Sequence, residues 1–270
     1  MSGGGRQPRV SIAEVAIDPL RFREVVDEIA AYAQAPGEPA FVVTPNAHHV
    51  VTYQRDAALR EAYRAAHLVV ADGVPLLWAA RVLGQRLPER VNGTDLFEAL
   101  CARAAERGLR VFLLGGRPGA AEAAARVLCA RHPSLVVCGS YCPPLGFEAS
   151  ETENERICAA ITTARPHLLF VGLGVPKQEL WMLRHRTRLG VPVSLGIGVS
   201  FELVGGVVAR APRWMQRCGL EWLFRALAEP RRLWRRYLFG NAAFCLLVAR
   251  QRLGLGAPVP GRGNRPRTPQ

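Results

Sequence analysis

The sequence predicts an α/β protein: a Rossmann-like parallel sheet with helices on both faces, followed by a C-terminal helical membrane-associating appendage. Three observations predict it. Short apolar runs alternate with segments of helical period, the pattern of parallel strands joined through helices. Runs such as Leu68–Ala71 and Leu168–Gly172 are apolar throughout, as strands covered on both faces are. From about Ala209 the composition turns basic and aromatic.

Taken in order, residues 1–8 read as a flexible lead without the apolar stretch of a signal peptide. The α/β core is expected over 9–208. Val10–Ile17 reads as a short edge strand or hairpin. Pro19-Leu20 opens a helix through Ala33, with Phe22, Val25, Val26, Ile29 and Ala30 on one face. Ala40–Val43 is a strand ending in Thr44-Pro45-Asn46, followed by a helix through Tyr53 and another over about Ala57–Ala66. His67–Ala71 is the next strand. Asp72-Gly73 breaks it, and Leu76, Leu77, Ala80 and Leu83 then recur at helical spacing. A helix over Thr94–Arg107 ends at Gly108. Arg110–Leu114 is a strand running into Gly115-Gly116, then a helix to about Arg131. Leu135–Gly139 is a strand and Glu151–Ala164 a helix. His167–Val171 is a strand ending in Gly172-Leu173-Gly174, with a helix to about Arg188. Val193–Leu195 is a strand ending in Gly196-Ile197-Gly198.

The appendage is expected over 209–253. Arg210, Arg213, Arg217, Arg225, Arg231, Arg232, Arg235, Arg236, Arg250 and Arg252 face only Glu221 and Glu229, with Trp214, Trp222, Phe224, Trp234, Tyr237, Phe239 and Phe244 interleaved. Leu220, Leu223, Leu227, Trp234 and Leu238 share a stripe if Pro230 merely kinks one path. Such a segment suits an anionic membrane interface; it equally suits helices packed on the core with solvated arginines. Residues 254–270 read as a disordered tail.

Composition narrows the function. Among 270 residues, 49% are hydrophobic and 21% charged, a globular balance. The net charge of +13 points to phosphates or an anionic surface as partners. Seven scattered cysteines include no CxxC pair, which suggests reduced thiols rather than a zinc site. No stretch reaches the ~18 apolar residues of a membrane span. The GxGxxG dinucleotide fingerprint, the P-loop and GxSxG are missing, and the five aspartates form no DxD pair. No cofactor and no metal is therefore expected.

What remains is polar chemistry at strand ends. Gly115, Gly116, Gly172, Gly174 and Gly198 occupy turns where backbone N–H groups can meet phosphate; glycine is also common at any such turn. Thr44, Asn46, Asp72 and Gln178 lie at the ends of neighbouring strands, where α/β sheets bind ligands. Two readings stand for Asp72, a helix cap and a general base. Thr44 and Asn46 alternatively make a turn before a helix, and Gln178 alternatively provides ordinary surface polarity.

Together, TPNAHHV (44–50), ADGVPLLWAARVLGQRLPERVNGTDL (71–96), FLLGGRPG (112–119), GLGVPKQELWM (172–182), GIGVSFELVGG (196–206) and GLEWLFRALAEPRRLWRRYLFGN (219–241) resemble the WecG/TagA/CpsF family of bacterial glycosyltransferases. The resemblance covers most of the chain. It implies an inverting, metal-independent transfer from a UDP-sugar donor to a polyprenyl-diphosphate-linked sugar acceptor in surface polysaccharide assembly. It implies Asp72 as base on the acceptor hydroxyl, Thr44 and Gln178 at the reacting sugars, Asn46 close by, and Arg90 at the diphosphate. Arg225, Arg232 and Arg235 would close over the site from the appendage. The enzyme would then work in the cytoplasm, held peripherally on the inner face of the plasma membrane. A homo-oligomer is left open, and nucleic acid is not an expected partner. The competing readings are a non-catalytic nucleotide-sugar or nucleic-acid binding module and a nucleotide-dependent epimerase.

Overall fold

The structure, a computed structural model, describes residues 7–34, 37–228 and 230–255; of residues 217 and 230–238 it describes the path of the chain only. The elements run β1 (Val10–Ile12), β2 (Val15–Ile17), α1 (Phe22–Gln34), β3 (Ala40–Val43), α2 (Ala47–Arg55), α3 (Ala57–Ala65), β4 (Leu68–Val69), α4 (Val74–Val82), α5 (Gly93–Arg107), β5 (Arg110–Gly115), α6 (Ala120–Arg131) and β6 (Val136–Tyr141). A 3-10 turn at Phe147–Ala149 leads into α7 (Glu151–Ala164), β7 (Leu168–Gly172), α8 (Lys177–Leu189), β8 (Val193–Gly196), α9 (Ser200–Val204), α10 (Arg213–Arg217), α11 (Glu221–Ala228) and α12 (Pro230–Arg252). Most of the lead, nearly all of the tail and the side chains of Arg232 and Arg235 lie outside the described residues.

Six strands make one all-parallel sheet in the order β4-β3-β8-β7-β5-β6, as the apolar runs predict. Side chains alternate across it. Phe41, Val43, Phe112, Leu114, Leu169 and Val171 enter one core with α2, α3, α4, α7, α8 and part of α12. Val42, Val111, Leu113, Leu168, Phe170, Val193 and Leu195 enter the other with α1, α5, α6 and α9. Two-sided burial is why these strands lack alternating polarity. In the second core Phe97 meets Phe170 and Phe201 edge to face, at centroid distances of 4.7 and 5.4 Å. That geometry adds about 0.5–1.5 kcal/mol per pair beyond area burial.

Val10–Ile17 takes the hairpin of its two readings, a separate antiparallel pair turned through Ala13 and Glu14 at positive φ. Three details differ from the sequence expectation. β4 keeps only two ladder residues, yet the chain stays beside β3: Val70 N–H bonds Val43 O, and Asp72 N–H bonds Pro45 O at 2.8 Å. α9 was not expected, because five residues cannot display a helical period. Pro230 starts α12 rather than kinking one path, which suits a residue without N–H at the first helical position.

The hairpin has a structural task. Ala13 N–H bonds Gln251 Oε1 at 2.6 Å, and Gln251 Nε2 donates to Ser11 O. It thus anchors the far end of α12, which also buries Phe244 and Val248 in the first core.

Close strand packing demands glycine at the end of β5. Gly115 has φ +98°, and a Cβ there would lie 2.7 Å from Gly172 O. Gly115→Ala is therefore expected to cost ~3 kcal/mol or more, combining a left-handed residue with an overpacked contact. Gly108→Ala has φ +65° and open space around it, so ~1–2 kcal/mol is expected. Urea unfolding of both variants checks the difference, and equal costs would contradict the packing argument.

Candidate functional site

Strands β3 and β8 are neighbours, but the helices that follow them, α2 and α9, lie on opposite faces. Their C-terminal ends therefore open a crevice. Thr44, just past β3, is buried there, and its hydroxyl donates to Gly196 O at 2.9 Å. This bond joins the two strand ends and leaves the hydroxyl's lone pairs facing outward from the bond.

Asp72 enters the same crevice. Beyond its tie to Pro45, Val91 N–H bonds Ala71 O, so the segment before α5 runs alongside. That brings Asn92 Nδ2 to Asp72 Oδ1 at 2.9 Å. Asn92 Oδ1 meanwhile caps α5 through the Thr94 and Asp95 N–H groups. Asn92, unremarked in the sequence, thus fixes both a helix start and the carboxylate. NGTD is a legible capping sequence, but nothing local reveals its second partner. Gly93 was also missed. A Cβ on Gly93 would lie 3.4 Å from Thr44 Oγ1, 3.8 Å from Asp72 Oδ2 and 3.8 Å from Ile197 O. Hydroxyl and carboxylate thus converge over a residue that carries no side chain.

The Asp72 carboxyl is pushed up to about 7, chiefly by desolvation and next by the Glu221 charge; Arg90, the Asn92 amide and the Gly93 N–H pull the other way. The capping alternative does not describe it. Gly73 is the residue before α4, and no side chain caps that helix. An acid titrating near neutrality in a crevice is suited to moving protons.

Gln178 is not surface polarity. It is buried, and its Oε1 accepts from both Gly174 N–H and Gly198 N–H, at 3.2 Å each. One amide therefore ties together the turns after β7 and β8. Its orientation is set by Glu179, whose Oε1 accepts from Gln178 Nε2 at 2.9 Å. Glu179 is fully buried, its Oε2 has no hydrogen-bond partner, and desolvation raises its carboxyl to about 7. His49 Nε2 lies 3.7 Å from Glu179 Oε1. Nothing in PKQE marks this glutamate as buried, because a carboxylate in the first turn of a helix is ordinary on the surface.

Asn46 makes the turn that was its alternative: its Oδ1 accepts from His48 and His49 N–H and caps α2. The glycines divide. Gly115, Gly116 and Gly172 are packed against one another and Phe201, whereas Gly174 and Gly198 have open space where a Cβ would be. Arg90 is half-buried and bonds Glu221 of α11 at 2.5 Å, with Asp95 at 3.5 Å. Arg210 holds Asp95 from the other side at 2.5 Å and reaches Asn92 Oδ1. The appendage is thereby seated beside Asp72 through ions of both signs. Arg225 stands half-buried on α11, one turn on from Glu221. Among the described residues no cluster of His, Cys, Asp and Glu is arranged to hold a metal ion.

Comparison with known proteins gives a consistent picture. The profile of the Glycosyl transferase WecG/TagA/CpsF family matches residues 10–257. Similar curated proteins include the N-acetylglucosaminyldiphosphoundecaprenol N-acetyl-beta-D-mannosaminyltransferases of Staphylococcus aureus strains NCTC 8325 / PS 47 and MRSA252. Each is 31% identical over 228 residues, covering 84% of this chain and 87% of the relative.

The two raised carboxyls fix the sign of a stability trend. The folded chain keeps protons on Asp72 and Glu179 up to about pH 7, whereas the unfolded chain releases them in the ordinary carboxylate range. These groups therefore make stability fall as pH rises from ~4 to beyond 7. Glu179→Gln, which keeps an oxygen for Gln178, is expected to flatten that decline in urea titrations at several pH values. An unchanged slope would contradict the burial of an ionisable Glu179.

Proposed function

The chain belongs to the WecG/TagA/CpsF family of glycosyl transferases, and on that premise we propose that it moves a sugar from a UDP-sugar donor to a polyprenyl-diphosphate-linked sugar, building a bacterial surface polysaccharide. Family membership sets aside the non-catalytic module and the epimerase. The observation that carries the proposal is Asp72: a carboxyl raised to about 7 that meets the Thr44 hydroxyl over Gly93, where no side chain separates them.

Asp72 takes the proton from the acceptor hydroxyl as its oxygen attacks the donor's anomeric carbon. The bond from that carbon to the diphosphate breaks on the far side, inverting the centre, and UDP leaves with the electron pair. Thr44 and Gln178 border the reacting sugars, Thr44 with its free lone pairs and Gln178 by holding the N–H groups of Gly174 and Gly198 in place. Asn46 sits one turn residue from the Pro45 carbonyl that holds Asp72 N–H. Arg90 and Arg225, with Arg232 and Arg235 as proposed partners, offset the charge developing on the diphosphate, so no protein-held metal is required. Arginine suits that task because it stays charged and binds phosphate through paired N–H groups. The strand-end glycines Gly115, Gly116 and Gly172 shape the floor on which Gly174 and Gly198 stand.

The acceptor's lipid places the reaction at a bilayer. No helix of the described residues is long and apolar enough to cross a membrane. Phe239, Leu246 and Leu253, however, recur every seven residues along or just past α12 and are exposed, opposite the buried Phe244 and Val248. With Arg250 beside them, they support interfacial binding, on the inner face of the plasma membrane where UDP-sugars are made available. The appendage (209–253) is thus both a membrane contact and part of the site's wall.

Two outcomes test this. Asp72→Asn should lower turnover ~10²–10⁴-fold, the usual worth of a general base, without loss of secondary structure. Near-wild-type turnover would remove Asp72 from the role. Phe239→Glu combined with Leu246→Glu should abolish flotation with phosphatidylglycerol vesicles while sparing the fold, since both side chains point away from the core. Truncation at Ala209 should do the same but also strips Phe244 and Val248 from the core. A double variant that still floats would contradict the membrane face.

A further inference from the structure

An open groove of about 610 Å³ lies outside the crevice, between α4, the loop before α5 and α10. One wall is apolar: Val74, Leu77 and Trp78, the last half-exposed on the surface of α4. The other is cationic: Arg81, Arg90 and Arg213. Its one carboxylate, Glu89, accepts a hydrogen bond from Phe22 N–H. Arg90 is ion-paired with Glu221 and Asp95, whereas Arg81 and Arg213 make no ion pair among the described residues. The groove therefore has an anion-seeking side and a lipid-seeking side within one volume, which falls in the range of ligand sites.

We propose that this groove binds the diphosphate and the first isoprene units of the lipid-linked acceptor. The assignment deepens the glycosyltransfer reading and rests on it for the acceptor's role. Three features carry it. Val74 lines the groove two residues after Asp72, a Cα separation of at most ~7 Å. A sugar whose hydroxyl meets Asp72 thus puts its diphosphate at the mouth of the groove. The charge is complementary, since guanidinium groups pair with phosphate oxygens. α12 also packs against α4, so the appendage that carries the exposed apolar stripe adjoins the helix that forms the apolar wall. The appendage rests directly on the start of α4, where a Cβ on Gly219 would lie 2.9 Å from Val74 Cβ. The groove consequently reads the anchor of the acceptor, while the crevice reads its sugar.

The test uses the full chain and three vesicle types: neutral phosphatidylcholine, the same with polyprenyl diphosphate, and the same with phosphatidylglycerol at equal negative charge. The wild type should be retained about tenfold more strongly on polyprenyl-diphosphate vesicles than on charge-matched phosphatidylglycerol. Trp78→Ala combined with Arg81→Ala should lose that preference and keep the phosphatidylglycerol binding. Wild-type preference in the double variant, or equal retention of the wild type on both anionic vesicles, overturns the groove. Transfer assays with UDP-sugars are run in parallel. A chain that prefers polyprenyl diphosphate but transfers nothing supports the groove and faults the donor assignment.

Discussion

The hydrogen bond from Asn92 to Asp72 is the constraint on which the site depends. Burying a carboxyl costs free energy unless it is held by donors or protonated, and this chain does both partially. Asn92 supplies one donor and Gly93 N–H another, while burial keeps the proton's affinity near neutrality. Around that compromise the local structure is ordered. The Pro45 and Val91 backbone contacts press the loop after β4 against two neighbours. Asn92 is in turn fixed by its cap on α5, and α5 by Leu96, Phe97 and Leu100 in the core. The position of one carboxylate is thus inherited from a helix and a sheet.

A second buried carboxylate organises the opposite side of the crevice. Glu179 contacts no open space, yet it decides which way the Gln178 amide faces and so which atom receives the Gly174 and Gly198 N–H groups. The appendage adds a third element through Glu221. Glu221 and Arg90 act on Asp72 in opposite senses and are bonded to each other. The Glu221 charge raises the Asp72 carboxyl and the Arg90 charge lowers it, so the seated appendage acts on the base. Core, crevice and appendage are therefore coupled by charge as well as by packing.

The parallel sheet was legible because two-sided burial writes itself into the sequence as unbroken apolar runs. Strand ends were legible because glycine and proline punctuate them, and Asp72 drew notice at one such end before the family resemblance gave it the role of base. What was not legible is pairing across the fold. Asn92 looks like any helix cap and Glu179 like any helix-surface acid. Gly93 has an ordinary backbone, so only its neighbours Thr44 and Asp72 reveal its place in the site. Asn46 showed the limit from the other side: its residue type suits a sugar contact, and the fold uses it to start α2. The stripe that assumed a mere kink at Pro230 ran across two separate helices, because Pro230 begins α12.

The most direct test of this account is the pH dependence of kcat/KM for sugar transfer, measured in the wild type and in Asp72→Asn. A base raised to about 7 predicts a rate that climbs roughly tenfold per pH unit below neutrality and levels off above pH 7 to 8. The residual activity of Asp72→Asn should lack that ascending limb. A wild-type profile already flat from pH 5, or the same limb persisting in Asp72→Asn, would contradict the assignment of Asp72 as the titrating base.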